Sequence, residues 1–107
     1  MVLEWAEKHM NRTLTVRDLA AKASMSTRTF ARRFGEETGT TPRQWLIHQR
    51  LLHAQRLLET TSDSMDEIAQ AVGFGTAATL RQHFARRRTT TPTAYRRRFS
   101  VDGMRTS

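Results

Sequence analysis

The sequence predicts an all-α domain of seven helices, and three observations carry that expectation. Alternation of apolar and polar residues, the mark of a half-buried strand, is almost absent. Helix-start signals punctuate the chain instead. Both prolines follow a threonine, in Thr41-Pro42 and Thr91-Pro92, while Thr41-Pro42-Arg43-Gln44 and Ser64-Met65-Asp66-Glu67 read as capping boxes. Third, the text repeats itself. Leu19-Ala20 and Ala23 recur as Ile68-Ala69 and Val72 at an offset of 49, and Phe30, Phe34, Thr41-Pro42 and Trp45 recur as Leu80, Phe84, Thr91-Pro92 and Tyr95 at an offset of 50.

Taken in order, the helices are expected at roughly 1–10, 15–23, 26–37, 42–60, 65–72, 77–88 and 92–99. Gly39 supplies the left-handed residue that ends the third, and Gly73 the one that ends the fifth. The one-residue change of offset falls where Ser24-Met25-Ser26 becomes Gly73-Phe74-Gly75-Thr76, a turn between two short helices, where a change of length disturbs packing least. The second and third helices, and again the fifth and sixth, therefore form a short helix, a tight turn and a longer helix: a helix-turn-helix. The fourth, apolar at Trp45, Leu46, Ile47, Leu51, Leu52, Leu57 and Leu58, is expected to pack against both units. The expected division is a first helix-turn-helix subdomain at 1–40, a long linker helix at 41–60, a second subdomain at 61–99 and a frayed tail at 100–107.

Composition excludes several functions. The chain holds no cysteine, so disulfides, cysteine-ligated metals and thiol nucleophiles are absent. His9, His48, His53 and His83 do not form a ligand set at i, i+3 or i, i+4 spacing, and neither a glycine-rich phosphate loop nor a Gly-x-Ser-x-Gly elbow occurs. No metal, cofactor or catalytic activity is expected. Apolar runs are too short for a membrane span, and Met1-Val2-Leu3-Glu4-Trp5 lacks the layout of a signal peptide, so the expected location is the cytoplasm.

The charge is lopsided. Of a formal net charge of +8 in 107 residues, residues 80–107 carry +7 through Arg81, Arg86, Arg87, Arg88, Arg96, Arg97, Arg98 and Arg105 against Asp102 alone. Apart from Lys8 and Lys22 every basic residue is arginine, the side chain suited to bidentate recognition of phosphate and guanine. With Phe30 at zero on a helical wheel, Phe34 falls at about 40°, Arg28 at about 160° and Arg32 at about 200°. The two arginines thus stand opposite the expected buried stripe, where the second helix of a helix-turn-helix enters a major groove. Phe30, Phe34, Phe74, Leu80 and Phe84 read as core rather than as base-stacking platforms. A basic module that binds any nucleic acid, or an arginine surface for an acidic protein or a membrane, also fits the charge, but neither needs two copies of a groove-entering unit.

With those residues in view, the chain resembles the C-terminal DNA-binding domain of the AraC/XylS family of bacterial transcription regulators over roughly residues 2–99. The resemblance lies in Leu19-Ala20 with Ala23-Ser24-Met25-Ser26-Thr27-Arg28-Thr29-Phe30 and Arg32-Arg33-Phe34, in Ile68-Ala69 with Val72-Gly73-Phe74 and Phe84, and in Thr91-Pro92 with Tyr95-Arg96. The run from Ser26 to Phe34 is most similar to the subgroup that carries an amidotransferase-like domain ahead of this one. The resemblance implies two helix-turn-helix units in one monomer, entering successive major grooves of double-stranded DNA. The linker helix, about 28 Å long at 1.5 Å per residue, suits the spacing of about 34–36 Å between such grooves. It places base reading on Arg28, Ala31 and Arg32 in the first unit and on Ala78, Thr79 and Gln82 in the second. Contacts to the DNA backbone fall on Ser26, Thr27, Arg33, Thr41, Thr76, Arg81, Arg86, Arg87 and Thr91. It also implies RNA polymerase as a further partner, a monomeric isolated domain, and dimerisation through any additional domain of the full-length protein.

Overall fold

A computed structural model describes residues 2–8 and 14–100. Seven α-helices follow in order: α1 (Val2–Lys8), α2 (Val16–Lys22), α3 (Thr27–Thr38), α4 (Pro42–Thr60), α5 (Met65–Val72), α6 (Ala77–Arg88) and α7 (Pro92–Phe99). The last four coincide with the expected spans. His9, the expected last turn of the first helix and the expected tail beyond Ser100 lie outside the described residues; Ser100 itself, expected to fray, is buried and ends α7, its N–H donating to the Arg96 carbonyl at 2.8 Å.

Six hydroxyl caps explain why the helices start where they do. Thr15, Ser26, Thr41, Ser64, Thr76 and Thr91 each accept a hydrogen bond from the backbone N–H three residues on. Such a cap is worth about 1 kcal/mol. Two of these sites close as reciprocal boxes: Ser64 with Glu67, as expected, and Thr15 with Asp18, which the sequence reading passed over. The expected Thr41–Gln44 box needs correcting, because only its hydroxyl half forms, from the Gln44 N–H to Thr41 at 3.1 Å. The two complete boxes place a carboxylate in the first helical turn, where the helix dipole favours negative charge; the neutral Gln44 amide lacks that attraction.

The helix ends follow the repeat as well. Gly39 and Gly73 take left-handed backbone conformations at φ 76° and 97°, as expected. Their counterparts in the other unit, Thr89 at offset 50 and Ser24 at offset 49, take the same conformation without being glycine, at φ 54° and 58°. A β-branched residue there is strained, by about 1–2 kcal/mol on the scale of left-handed helical backbone. Thr89→Gly is therefore expected to raise stability by about 1 kcal/mol once the extra freedom of glycine in the unfolded chain is deducted. Chemical denaturation checks this, and an unchanged or lowered midpoint contradicts it.

Packing divides the apolar residues into two clusters. One gathers Ala6, Leu14, Leu19, Ala20, Phe30, Phe34 and Leu46; the other gathers Ile47, Leu51, Ala54, Leu58, Ile68, Ala69, Val72, Phe74, Leu80 and Phe84. Helix α4 supplies both, giving Leu46 to the first and every later buried residue to the second. Leu52, expected among the packed residues, is instead 42% exposed. It sits one position beyond Leu51, a turn of about 100° away from the buried stripe. Two cores strung on one helix give an elongated body of 49 × 23 × 23 Å with a radius of gyration of 15.3 Å, against about 13 Å for a compact domain of this length.

Candidate nucleic-acid interface

The two longer helices of the repeated units, α3 and α6, present matching faces. On α3, Phe30 and Phe34 are buried, and Arg28, Ala31, Arg32 and Arg33 are exposed. On α6, Leu80 and Phe84 are fully buried and Ala78 and Gln82 are exposed. The cap of each helix is built alike. The Ser26 hydroxyl accepts from the Thr29 N–H at 3.1 Å and donates to the Thr29 hydroxyl at 3.0 Å; Thr76 does the same with Thr79 at 3.2 and 3.1 Å. The hydroxyls of Ser26 and Thr76, and those of the exposed Thr41 and Thr91, are thus engaged in capping, and Thr27 opens α3 with its side chain exposed. Thr79 is half-buried, turned from the outer face toward the waist of the molecule.

One ion pair shapes the α3 face. Arg32 Nη1 lies 2.9 Å from Glu36 Oε1, with both side chains 61% exposed. An exposed i, i+4 pair is worth only about 0.3–0.5 kcal/mol, so it orients the guanidinium without committing it. Arg28 has no such tether among the described residues.

The arginines of the last third divide by role. Arg81, Arg86, Arg97 and Arg98 are exposed, and Arg87 is half-buried. Arg88 turns inward, its Nε donating to Gln55 Oε1 at 3.1 Å. Arg96 donates from Nε to the Leu58 carbonyl at 3.3 Å, one of the last-turn carbonyls of α4 that have no partner within the helix. The Tyr95 hydroxyl donates to Glu59 beside it, and burial together with that carboxylate raises the phenol pKa. Arg88, Arg96 and Tyr95 therefore fasten α6 and α7 to α4. In the sequence neither Arg88 nor Arg96 stands out as a fastening residue, because adjacent arginines on one helix end look alike until their partners are known.

Arg43, Arg50 and His83 were not singled out for the interface from the sequence. They line a cavity of about 260 Å³ at the waist, shared by Thr15 and Val16 at the start of α2, Leu46 and Ile47 from α4, Gly73 and Phe74 from the second turn, and Thr79. The His83 ring stacks on Phe74 with centroids 5.0 Å apart. Burial, and then Arg86, Arg87, Arg43 and Arg50, hold its pKa below the usual histidine value, so the ring is neutral at pH 7. Among the described residues no group of three or more His, Cys, Asp or Glu side chains is placed to hold a metal ion, and no helix is long and apolar enough to cross a membrane.

Comparison with known proteins places this geometry. A family model described as a helix-turn-helix domain matches residues 19–98. The chain is 42% identical over 83 residues to the HTH-type transcriptional regulator Rv1931c of Mycobacterium tuberculosis, covering 78% of this chain and 32% of that protein. It is 36% identical over 74 residues to the HTH-type transcriptional activator RhaS of Klebsiella pneumoniae, covering 69% and 27%. The chain thus spans about a third or less of the length of these relatives. Among solved structures, the DNA-binding domain of AdpA, a global transcriptional factor crystallised with a target DNA, superposes with a TM-score of 0.85 at 50% identity, covering 92% of this chain and 88% of that one. A transcriptional regulator from Chromobacterium violaceum described as containing an AraC-type DNA-binding domain superposes with a TM-score of 0.83 at 26% identity, covering 95% and 91%. Matched by the family model over most of its length, and by these neighbours in fold, the chain belongs to the helix-turn-helix domain family of AraC-type transcription regulators.

Proposed function

We propose that this chain is the DNA-binding part of a bacterial transcription regulator and binds double-stranded DNA sequence-specifically, with α3 and α6 in successive major grooves. The observation that carries the reading is the duplicated helix face: a buried stripe on each of two repeat-related helices, backed by an exposed face that no other part of the described fold covers. A body 49 Å long spans the roughly 34–36 Å between grooves one turn apart. The AdpA domain, half identical to this chain, was crystallised on DNA, which supports the same partner here. RNA polymerase as a further partner, a monomeric state for this domain and a place on the chromosome in the cytoplasm belong to the same reading.

Within it, Arg28 and Arg32 read guanine through O6 and N7, Gln82 pairs with adenine, and Ala31 and Ala78 offer methyl contact to thymine, with Thr79 at the edge of the second site. Arg33, Arg81, Arg86 and Arg87 meet phosphates, as do the helix-start residues Ser26, Thr27, Thr41, Thr76 and Thr91, whose hydroxyls are largely spent on caps and whose neighbouring backbone N–H groups remain. Selection from a pool of random duplexes at near-physiological salt tests the function. One enriched motif spanning two adjacent turns supports it; retention without enrichment means a basic module that binds any duplex.

The two units are expected to divide the work. Arg28→Ala or Arg32→Ala relaxes preference at one or two G·C pairs in one half of the site, by about 1–3 kcal/mol each. Arg86→Ala weakens all duplexes about equally and lowers the salt slope by about one. Titrations against matched and single-substituted duplexes at two salt concentrations decide it, and a greater loss of base discrimination from Arg86→Ala reverses the assignment.

A further inference from the structure

Between the two cores the molecule is held together sparsely. The apolar clusters do not merge: α4 hands Leu46 to one and Ile47 to the other, and beside that changeover lies the waist cavity rather than packed side chains. One side chain crosses it. Arg50, on α4, donates from Nη2 to the carbonyl of Leu14, a buried residue of the first cluster. On its other side its Nε lies against Gly73, in the turn of the second unit, where a Cβ would come within 3.0 Å of that nitrogen.

The arrangement is costly. Arg50 Nε is buried without a hydrogen-bond partner, and no carboxylate pairs with the guanidinium to offset its charge. Burial accordingly lowers the Arg50 pKa. Left-handed backbone at φ 97° already favours glycine at 73, whereas Ser24, at the equivalent place in the first unit, keeps to φ 58°. The added demand at 73 is room for the guanidinium.

We propose that Arg50 is a positioning residue that fixes the two helix-turn-helix units relative to each other, and thereby sets the half-site spacing the chain accepts on DNA. The second half of the proposal rests on the DNA-binding reading above; the first does not. One inserted base pair moves the half-sites about 3.4 Å apart and turns them by about 34°. A rigid pair of units then loses base contacts in one groove, while a loosely hinged pair follows the DNA.

Two measurements on the whole chain test this. Because the chain has no cysteine, Ala21→Cys and Gln70→Cys, exposed equivalents on α2 and α5, take spin labels cleanly. The distance distribution between the labels is expected to be narrow in the otherwise wild-type chain and broad or shifted with Arg50→Met and Arg50→Lys. Lysine keeps the charge but not the forked donor, so it separates the latch from simple charge loss and serves if the methionine variant folds poorly. The second measurement compares affinities for the selected duplex and for one with a base pair inserted between its half-sites. Wild type is expected to disfavour the insertion by about tenfold to a hundredfold, the worth of one bidentate contact, and the Arg50 variants to lose most of that preference. Unchanged distance distributions in both variants overturn the latch. Broadened distributions with an undiminished spacing preference overturn its role in site selection. If no duplex is enriched, the DNA reading fails and the distance measurement still decides whether Arg50 locks the units.

Discussion

Phe84→Ala is expected to lower the thermal midpoint by about 12–40 °C, and Phe34→Ala to come close behind. Truncating a buried aromatic costs about 3–5 kcal/mol, and a domain of this size shifts by about 4–8 °C for each. Phe84 is fully buried in the second cluster and meets Tyr95 edge to face at 5.5 Å, a geometry worth a further 0.5–1.5 kcal/mol or so. Phe34, 5% exposed, touches Phe30 at 5.7 Å and the edge of Trp45 at 6.2 Å. Because Ile47, Leu51, Ala54 and Leu58 of α4 all sit in the Phe84 cluster, its loss also releases the helix that carries the first unit. Total stabilities of about 5–15 kcal/mol leave little reserve. Melts followed by circular dichroism decide the matter, and variants that melt within a degree of wild type remove these residues from the two cores.

The fold was legible because its signals are local or repeated. The caps at Thr41, Ser64 and Thr91, two terminal glycines and the paired phenylalanines can all be read within a few residues of chain, and the offset of 49 or 50 lets each half check the other; the caps at Thr15, Ser26 and Thr76 emerged only in the structure. What escaped was long-range. Arg88 reaches Gln55, Arg96 reaches Leu58 and Arg50 reaches Leu14, partners 33 to 38 residues away that no periodicity reveals. Even here the repeat held a clue: Thr89 and Ser24 break the glycine rule that Gly39 and Gly73 keep. The exposed faces of α3 and α6, proposed above to read bases, were legible as exposed faces for the opposite reason. Arg28 and Arg32 are defined by facing away from the core, and the position of the buried stripe on the same helix is enough to say so.

Affinity for any duplex is expected to fall by about 10³- to 10⁵-fold between 50 and 200 mM salt, and the structure narrows which side chains produce that slope. Arg88 and Arg96 are occupied within the fold, and Arg50 is turned into the waist. With Arg28 and Arg32 assigned to bases, Arg17, Arg33, Arg43, Arg56, Arg81, Arg86, Arg97 and Arg98 remain exposed and Arg87 half-exposed, and phosphate contact by seven of these nine suffices for that fall. At about 0.9 released counterions per neutralised phosphate, seven contacts give a slope near −6, or roughly four orders of magnitude over that fourfold change of salt. The same logic separates arginines that the sequence cannot tell apart. Arg86→Ala is expected to flatten the slope by about one at little cost in stability, since an exposed charge at a helix end contributes only about 0.3–1 kcal/mol. Arg88→Ala is expected to do the reverse: the slope stays, and the melting point drops as Gln55 loses its donor. Anisotropy titrations across the salt range, paired with melts of the same two variants, read both effects. A wild-type slope shallower than about −2 removes phosphate contact as the main source of affinity, and a flattened slope in Arg88→Ala shows that its hydrogen bond to Gln55 yields to DNA.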